Sequence, residues 1–145
     1  MKNDIRAEKL MKEAKIILDE VQQLFKGANW NLAIRRAQEV VELVLKGLLA
    51  QLGVDYPKIH DVAPVFKKSL KKTKLDVNDD FLKWLERFST DLFFKRTPSF
   101  YFEAEYDEEE AKEAVEGANK VFEFGKNFIE TLKKNQLKKE NHTNL

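Results

Sequence analysis

Three stretches combine residue types that do chemistry with spacings that would let them act together. In FKRTPSFYFEAEYD, Phe94 to Asp107, one arginine stands among aromatic residues. The planar fork of Arg96 suits a phosphate, and Phe100 and Tyr101 would stack an unpaired base. In HD, His60 precedes Asp61, the arrangement of a general base oriented by a carboxylate. The plainer reading of His60 is a local hydrogen bond ahead of a helix. The third set is Arg35, Glu39, Glu42 and Lys46, at steps of four, three and four. Such steps draw one line on a helix face. The line is either a site wall in which Lys46 and Arg35 hold phosphate, or a solvated face where Glu42 and Lys46 contribute ~0.3 kcal/mol.

One basic cluster, Lys67, Lys68, Lys71, Lys72 and Lys74, completes the inventory. Placed beside Lys95 and Arg96 it would attract RNA; otherwise it keeps a connector soluble. His142, the second of two histidines, falls in the C-terminal stretch and is set aside. Two histidines make no metal triad, so no metal and no cofactor is expected. With no cysteine, thiolate zinc sites, disulfides and cysteine nucleophiles are excluded. Glycine-rich phosphate loops and Ser/His/Asp signatures are absent as well. A net charge of +1 gives little global support for binding duplex phosphates. No apolar run approaches the roughly 20 residues of a membrane helix, and no leader is evident, so a cytoplasmic protein with no membrane contact is expected.

The elements that would position these residues are helices. Ala7, Leu10, Ala14, Ile17, Val21 and Leu24 recur at steps of three and four, and predict a first helix from about Asp4 to Phe25, ended by Gly27. A second runs from an Asn29 cap to Gly53 and carries the charged line opposite a wide apolar arc. A short third helix is expected from an Asp61 cap, with Pro64 in its first turn, to about Lys71. A fourth starts at an Asn78 cap and ends by Thr97, because Pro98 follows. Asp107 and Glu110 stand in capping-box spacing and open a fifth. The domain is therefore expected to span residues 1–134, with 135–145 a flexible tail. This is an all-α protein, an antiparallel up-and-down bundle of four to five helices. Aromatic residues are abundant on the last two helices, Phe alone numbering 11, which points to a homodimer.

RRAQEVVELVLKGLLAQLG, HDVAPVF, RTPSFY and YDEEEAKEAVEGANKVFEF, in that order, resemble the HEPN domain family of prokaryotic helical proteins. The resemblance covers roughly Asp4 to Lys133. It implies a dimeric bundle, often encoded beside a minimal nucleotidyltransferase in a toxin–antitoxin or nucleotide-related setting. The family's glutamine, glutamate and lysine are similar to Gln38, Glu42 and Lys46, its His-Asp pair to His60 and Asp61, and its loop arginine to Arg96. Many members of the superfamily are metal-independent ribonucleases, with a histidine following the arginine after four to six intervening residues. Tyr101, Phe102 and Glu103 stand there instead. Tyrosine, with an ordinary pKa of about 10, is a poor base near neutrality.

Three functional expectations follow from the resemblance and the missing histidine. The first is a non-catalytic module that binds a nucleotide, or a partner nucleotidyltransferase, with Arg96, Lys46, His60, Glu42 and Gln38 at the phosphate and Tyr101 and Phe100 at the base. The second is a divergent endoribonuclease using Arg96 with Tyr101 or Glu103. The third is a structural dimer or antitoxin-like partner with no small ligand.

Overall fold

In a computed structural model the chain is described over residues 2–143, with side chains described for residues 3–140. His142's side chain therefore lies outside the described residues. Five helices follow one another: α1 Lys2–Lys26, α2 Trp30–Gln51, α3 Ala63–Lys71, α4 Asp79–Phe100 and α5 Glu108–Thr143. No strand occurs among the described residues.

The helices run up and down around α2. Gln51 at the end of α2 bonds Asp4 at the start of α1, so these two are antiparallel. Asn31 at the start of α2 bonds Ser99 at the end of α4, which makes that pair antiparallel too. α5 lies against α2 where Gly125 brings its backbone close enough that an added Cβ would stand 2.6 Å from Val44. The core is the apolar arc of α2, Ala33, Ile34, Ala37, Val40, Val41, Val44, Leu45, Leu48 and Leu49, wholly enclosed by α1, α4 and α5. Its neighbours include the expected stripe residues Ala7, Ala14 and Val21 of α1, and Leu18, which falls between them. At one end the Phe66, Phe81, Phe124 and Phe128 rings pack edge to face or tilted at 4.4–6.1 Å, and join α3 to α4 and α5.

The helix ends place the chemistry. Asn78 and Asp107 cap as expected, accepting the amides of Phe81 at 3.0 Å and Glu110 at 2.9 Å. Asn29 occupies the cap of α2 but its side chain makes no capping bond. The cap of α3 is Val62, not Asp61. The turn after α1 takes positive φ at Ala28 (60°) rather than at Gly27, whereas Gly53 (74°) ends α2 as expected. Pro98 does not stop α4, which continues to Phe100. Its ring removes a single helical donor one turn from the end. Tyr101 N–H to Thr97 O at 3.2 Å and Glu103 N–H to Pro98 O at 3.0 Å close that turn, with Phe102 at φ 53°. This pattern, a 6→1 bond around a left-handed residue, is a Schellman end. The boundary expected near residue 134 falls inside α5. Among the described residues no helix is long and apolar enough to cross a membrane.

Candidate functional site

Because α4 persists through Pro98 to Phe100, Arg96 shares a helix face with Phe100 one turn on. That face looks onto the α2 line. Arg96 donates through Nη1 to Gln38 Oε1 at 2.8 Å, and the same nitrogen lies 3.5 Å from Glu42 Oε1. Gln38 is 2% exposed and fully used, since its Nε2 donates to Glu42 Oε1 at 3.2 Å and to the His60 carbonyl at 3.1 Å. These partners fix the amide's orientation. Lys46 Nζ donates to Glu42 Oε2 at 2.8 Å and lies 5.7 Å from the Tyr56 ring centre. Gln38, Glu42, Lys46, His60 and Arg96, remote in the sequence, therefore converge.

Glu42 is the hub. Burial pushes its carboxyl up, but hydrogen bonds from Lys46, His60 and Gln38 and the charge of Lys46 outweigh burial and hold it below its ordinary value. His60 Nδ1 lies 2.8 Å from Glu42 Oε1 and 3.0 Å from Arg96 Nη1. One nitrogen cannot donate to the carboxylate and accept from the guanidinium at once. An ionised Glu42 selects the tautomer with hydrogen on Nδ1, and Arg96 is then satisfied by Gln38 and the carboxylate. The consequence is chemical: among the described residues Nε2 of this half-exposed imidazole has no partner, and it is an acceptor while the ring is neutral and a donor to an anion such as phosphate once the ring is protonated. Among the described residues the Arg96 guanidinium is engaged through Nη1 alone, so its Nε and Nη2 donors remain for a ligand.

Asp61 does not orient His60. Its carboxylate accepts the Ser89 hydroxyl at 2.8 Å and the Thr90 hydroxyl at 2.7 Å, latching the α2–α3 connection to α4 and so setting His60 beside Arg96. Ser89 is buried, and its hydroxyl needs such an acceptor. Asn31 is a residue that sequence reasoning passed over. Its Nδ2 donates to the Ala104 and Ser99 carbonyls at 2.8 and 3.3 Å, and its Oδ1 accepts the Tyr106 amide at 2.9 Å. One side chain thus pins the segment after α4 to α2. Its only signal was a polar side chain between Trp30 and Leu32 in the first turn of α2.

Phe100 and Tyr101 are exposed, 5.0 Å apart, with the Arg35 guanidinium 4.7 Å over Phe100. Glu103 and Tyr101 lie beyond α4, and Arg96 bonds neither. The basic cluster stands elsewhere. Lys67 pairs with Glu86 at 3.0 Å, ten positions before Arg96 on α4 and so roughly 15 Å along its axis. Lys95 is engaged by Asp91 at 3.0 Å. Among the described residues no group of three or more His, Cys, Asp or Glu side chains is placed to hold a metal ion.

The chain was also compared with known proteins. A model of the HEPN domain matches residues 7–129. The crystal structure of TT1696 from Thermus thermophilus is similar at a TM-score of 0.69 and 24% identity, over 88% of this chain and 99% of that one. That of an archaeal HEPN homologue is similar at 0.64 and 24%, over 86% and 98%. No curated protein matches the chain.

Proposed function

The chain belongs to the HEPN domain family, and from that premise we propose that it is a non-catalytic, cytoplasmic binding module whose Arg96 and His60 face takes the phosphate of a nucleotide. The observation that supports this is the convergence of Arg96, Gln38, Glu42 and His60, with Arg96 free at Nε and Nη2 among the described residues. Arg96 and Lys46 against Glu42 give the cluster one surplus positive charge, which a phosphate neutralises. Lys46 acts through Glu42, to which its ammonium is bonded. A base attached to that phosphate lies along α4 on Phe100 and Tyr101.

Phe93 and Phe94, 5.4 Å apart and exposed, supply a protein-facing surface for a second copy or a partner nucleotidyltransferase. Titration with nucleoside mono-, di- and triphosphates tests the binding reading. Arg96→Ala should weaken the best ligand by about tenfold or more, since a charged hydrogen bond contributes about 1.5–3 kcal/mol and 1.4 kcal/mol is tenfold. Wild-type protein that binds none of them contradicts it.

A second reading has one observation in its favour. Glu42 orients His60 beside an arginine, so Nε2 could take a 2′-hydroxyl proton while Arg96 steadies the phosphorane charge. His60 would then fill the role expected of Tyr101 or Glu103. Metal-free cleavage of RNA that disappears in His60→Ala favours this reading, and intact RNA at stoichiometric protein rejects it.

A further inference from the structure

The charged line on α2 is not evenly used. Glu42 takes Lys46 at 2.8 Å, and Glu39, which stands at i+4 from Arg35, pairs with Arg36 at 2.9 Å instead. Among the described residues Arg35 is left with no hydrogen bond and no ion pair, and its guanidinium is held over the Phe100 ring, 4.7 Å from the centre. Phe100 stands one turn, about 6 Å, beyond Arg96 along α4. Arg35 stands one turn before Gln38, which Arg96 bonds, and the two helices are antiparallel. Two guanidiniums therefore lie about one helical turn apart on one face, and Glu42 is the carboxylate within reach of Arg96.

We propose that Arg35 is the contact for a second phosphate, so that the ligand of this face is a nucleotide carrying two anionic groups about one helical turn apart. The inference rests on the reading that Arg96 and His60 take the first phosphate. An arginine whose donors meet no protein acceptor, fixed by a ring rather than by a carboxylate, presents its fork to an outside anion. One phosphate held at Arg96 does not span a turn to Arg35, whereas two satisfy both guanidiniums and relieve their mutual repulsion. Lys46, the other cation of the line, is engaged by Glu42. Glu105 lines the hollow beyond Arg35 with Trp30 and Phe102, makes no bond to Arg35, and ends the run of positive charge there. The second phosphate has two chemical sources, the 5′ chain of a nucleoside triphosphate or the 3′ side of the ribose, where a strand would continue.

The test is calorimetric titration of the whole chain with adenosine 5′-monophosphate, adenosine 5′-triphosphate and adenosine 3′,5′-bisphosphate. Wild type should bind one of the latter two at least tenfold more tightly than the monophosphate, and the one that gains identifies the source. Arg35→Gln should reduce that preference to about twofold or less, whereas Arg96→Ala should weaken all three ligands. In wild type the preference should also shrink as salt is raised, because it rests on an added pair of opposite charges. Equal affinity for all three ligands, a preference that survives in Arg35→Gln, or one indifferent to salt overturns the second contact. Monophosphate binding that still depends on Arg96 would then leave the first reading standing. Failure of wild type to bind any of the three removes that reading and this proposal together.

Discussion

Glu42 is the side chain on which the site's protonation depends. Its folded pKa lies below the ordinary value of 4.5. A carboxylate depressed in the folded state stabilises the protein above the unfolded pKa, and that contribution is lost as pH falls through the folded value. Wild type should therefore lose stability below about pH 4.5 by an increment that Glu42→Gln lacks. Denaturant unfolding of both proteins between about pH 6 and pH 3 measures it. Parallel profiles would mean that Glu42 gains nothing from its partners. The residue types at this point were legible in the sequence, because Gln38, Glu42 and Lys46 are spaced to share a helix face. What was not legible is who holds whom. Asp61 adjoins His60 in the chain yet binds Ser89 and Thr90, while Glu42, 18 positions away, orients the imidazole. Such partners are decided by tertiary packing, and adjacency carries no information about it.

Among the elements, the end of α4 departs furthest from expectation. A proline normally bars the residue before it from helix, yet here a Schellman turn and the Asn31 tether hold the segment in place. The helix thereby carries Arg96 and Phe100 on one face. The turn sets Phe102 at φ 53° with its side chain 71% exposed. A bulky residue in the left-handed region costs about 1–2 kcal/mol, against about 0.5–1 kcal/mol for glycine's extra freedom in the unfolded chain. Phe102→Gly should therefore leave stability unchanged or raise it by up to about 1 kcal/mol, as read from denaturant midpoints. A loss of that size would show that the ring is packed. Caps with a side-chain acceptor, Asn78 and Asp107, could be read from the sequence because the bond is local. Positive φ at Ala28 and Phe102 could not, since neither residue favours it. α5 likewise runs on past its apolar stripe to Thr143, where periodicity gives no signal.

For the whole molecule, helical periodicity and short connections sufficed for the all-α bundle, because one apolar arc on α2 needs covering on several sides. They carry no information about what meets its outer surface. Phe94 is 69% exposed and touches Phe93, a combination that on our reading is covered by another protein surface. If that surface is a second copy, sedimentation equilibrium should give twice the 17.0 kDa chain mass, and Phe94→Ser should return it to one. A monomer at all concentrations would leave a heterologous partner as the occupant. The central claim is that a nucleotide phosphate sits on Arg96 and His60, and the chain's two histidines make it directly measurable. Nitrogen NMR of the histidine side chains during nucleotide titration should show the His60 Nε2 signal shifting to saturation, Nδ1 remaining bonded to Glu42, and the response vanishing in Arg96→Ala. Nucleotide binding that leaves His60 unperturbed, or no binding at all, would contradict it.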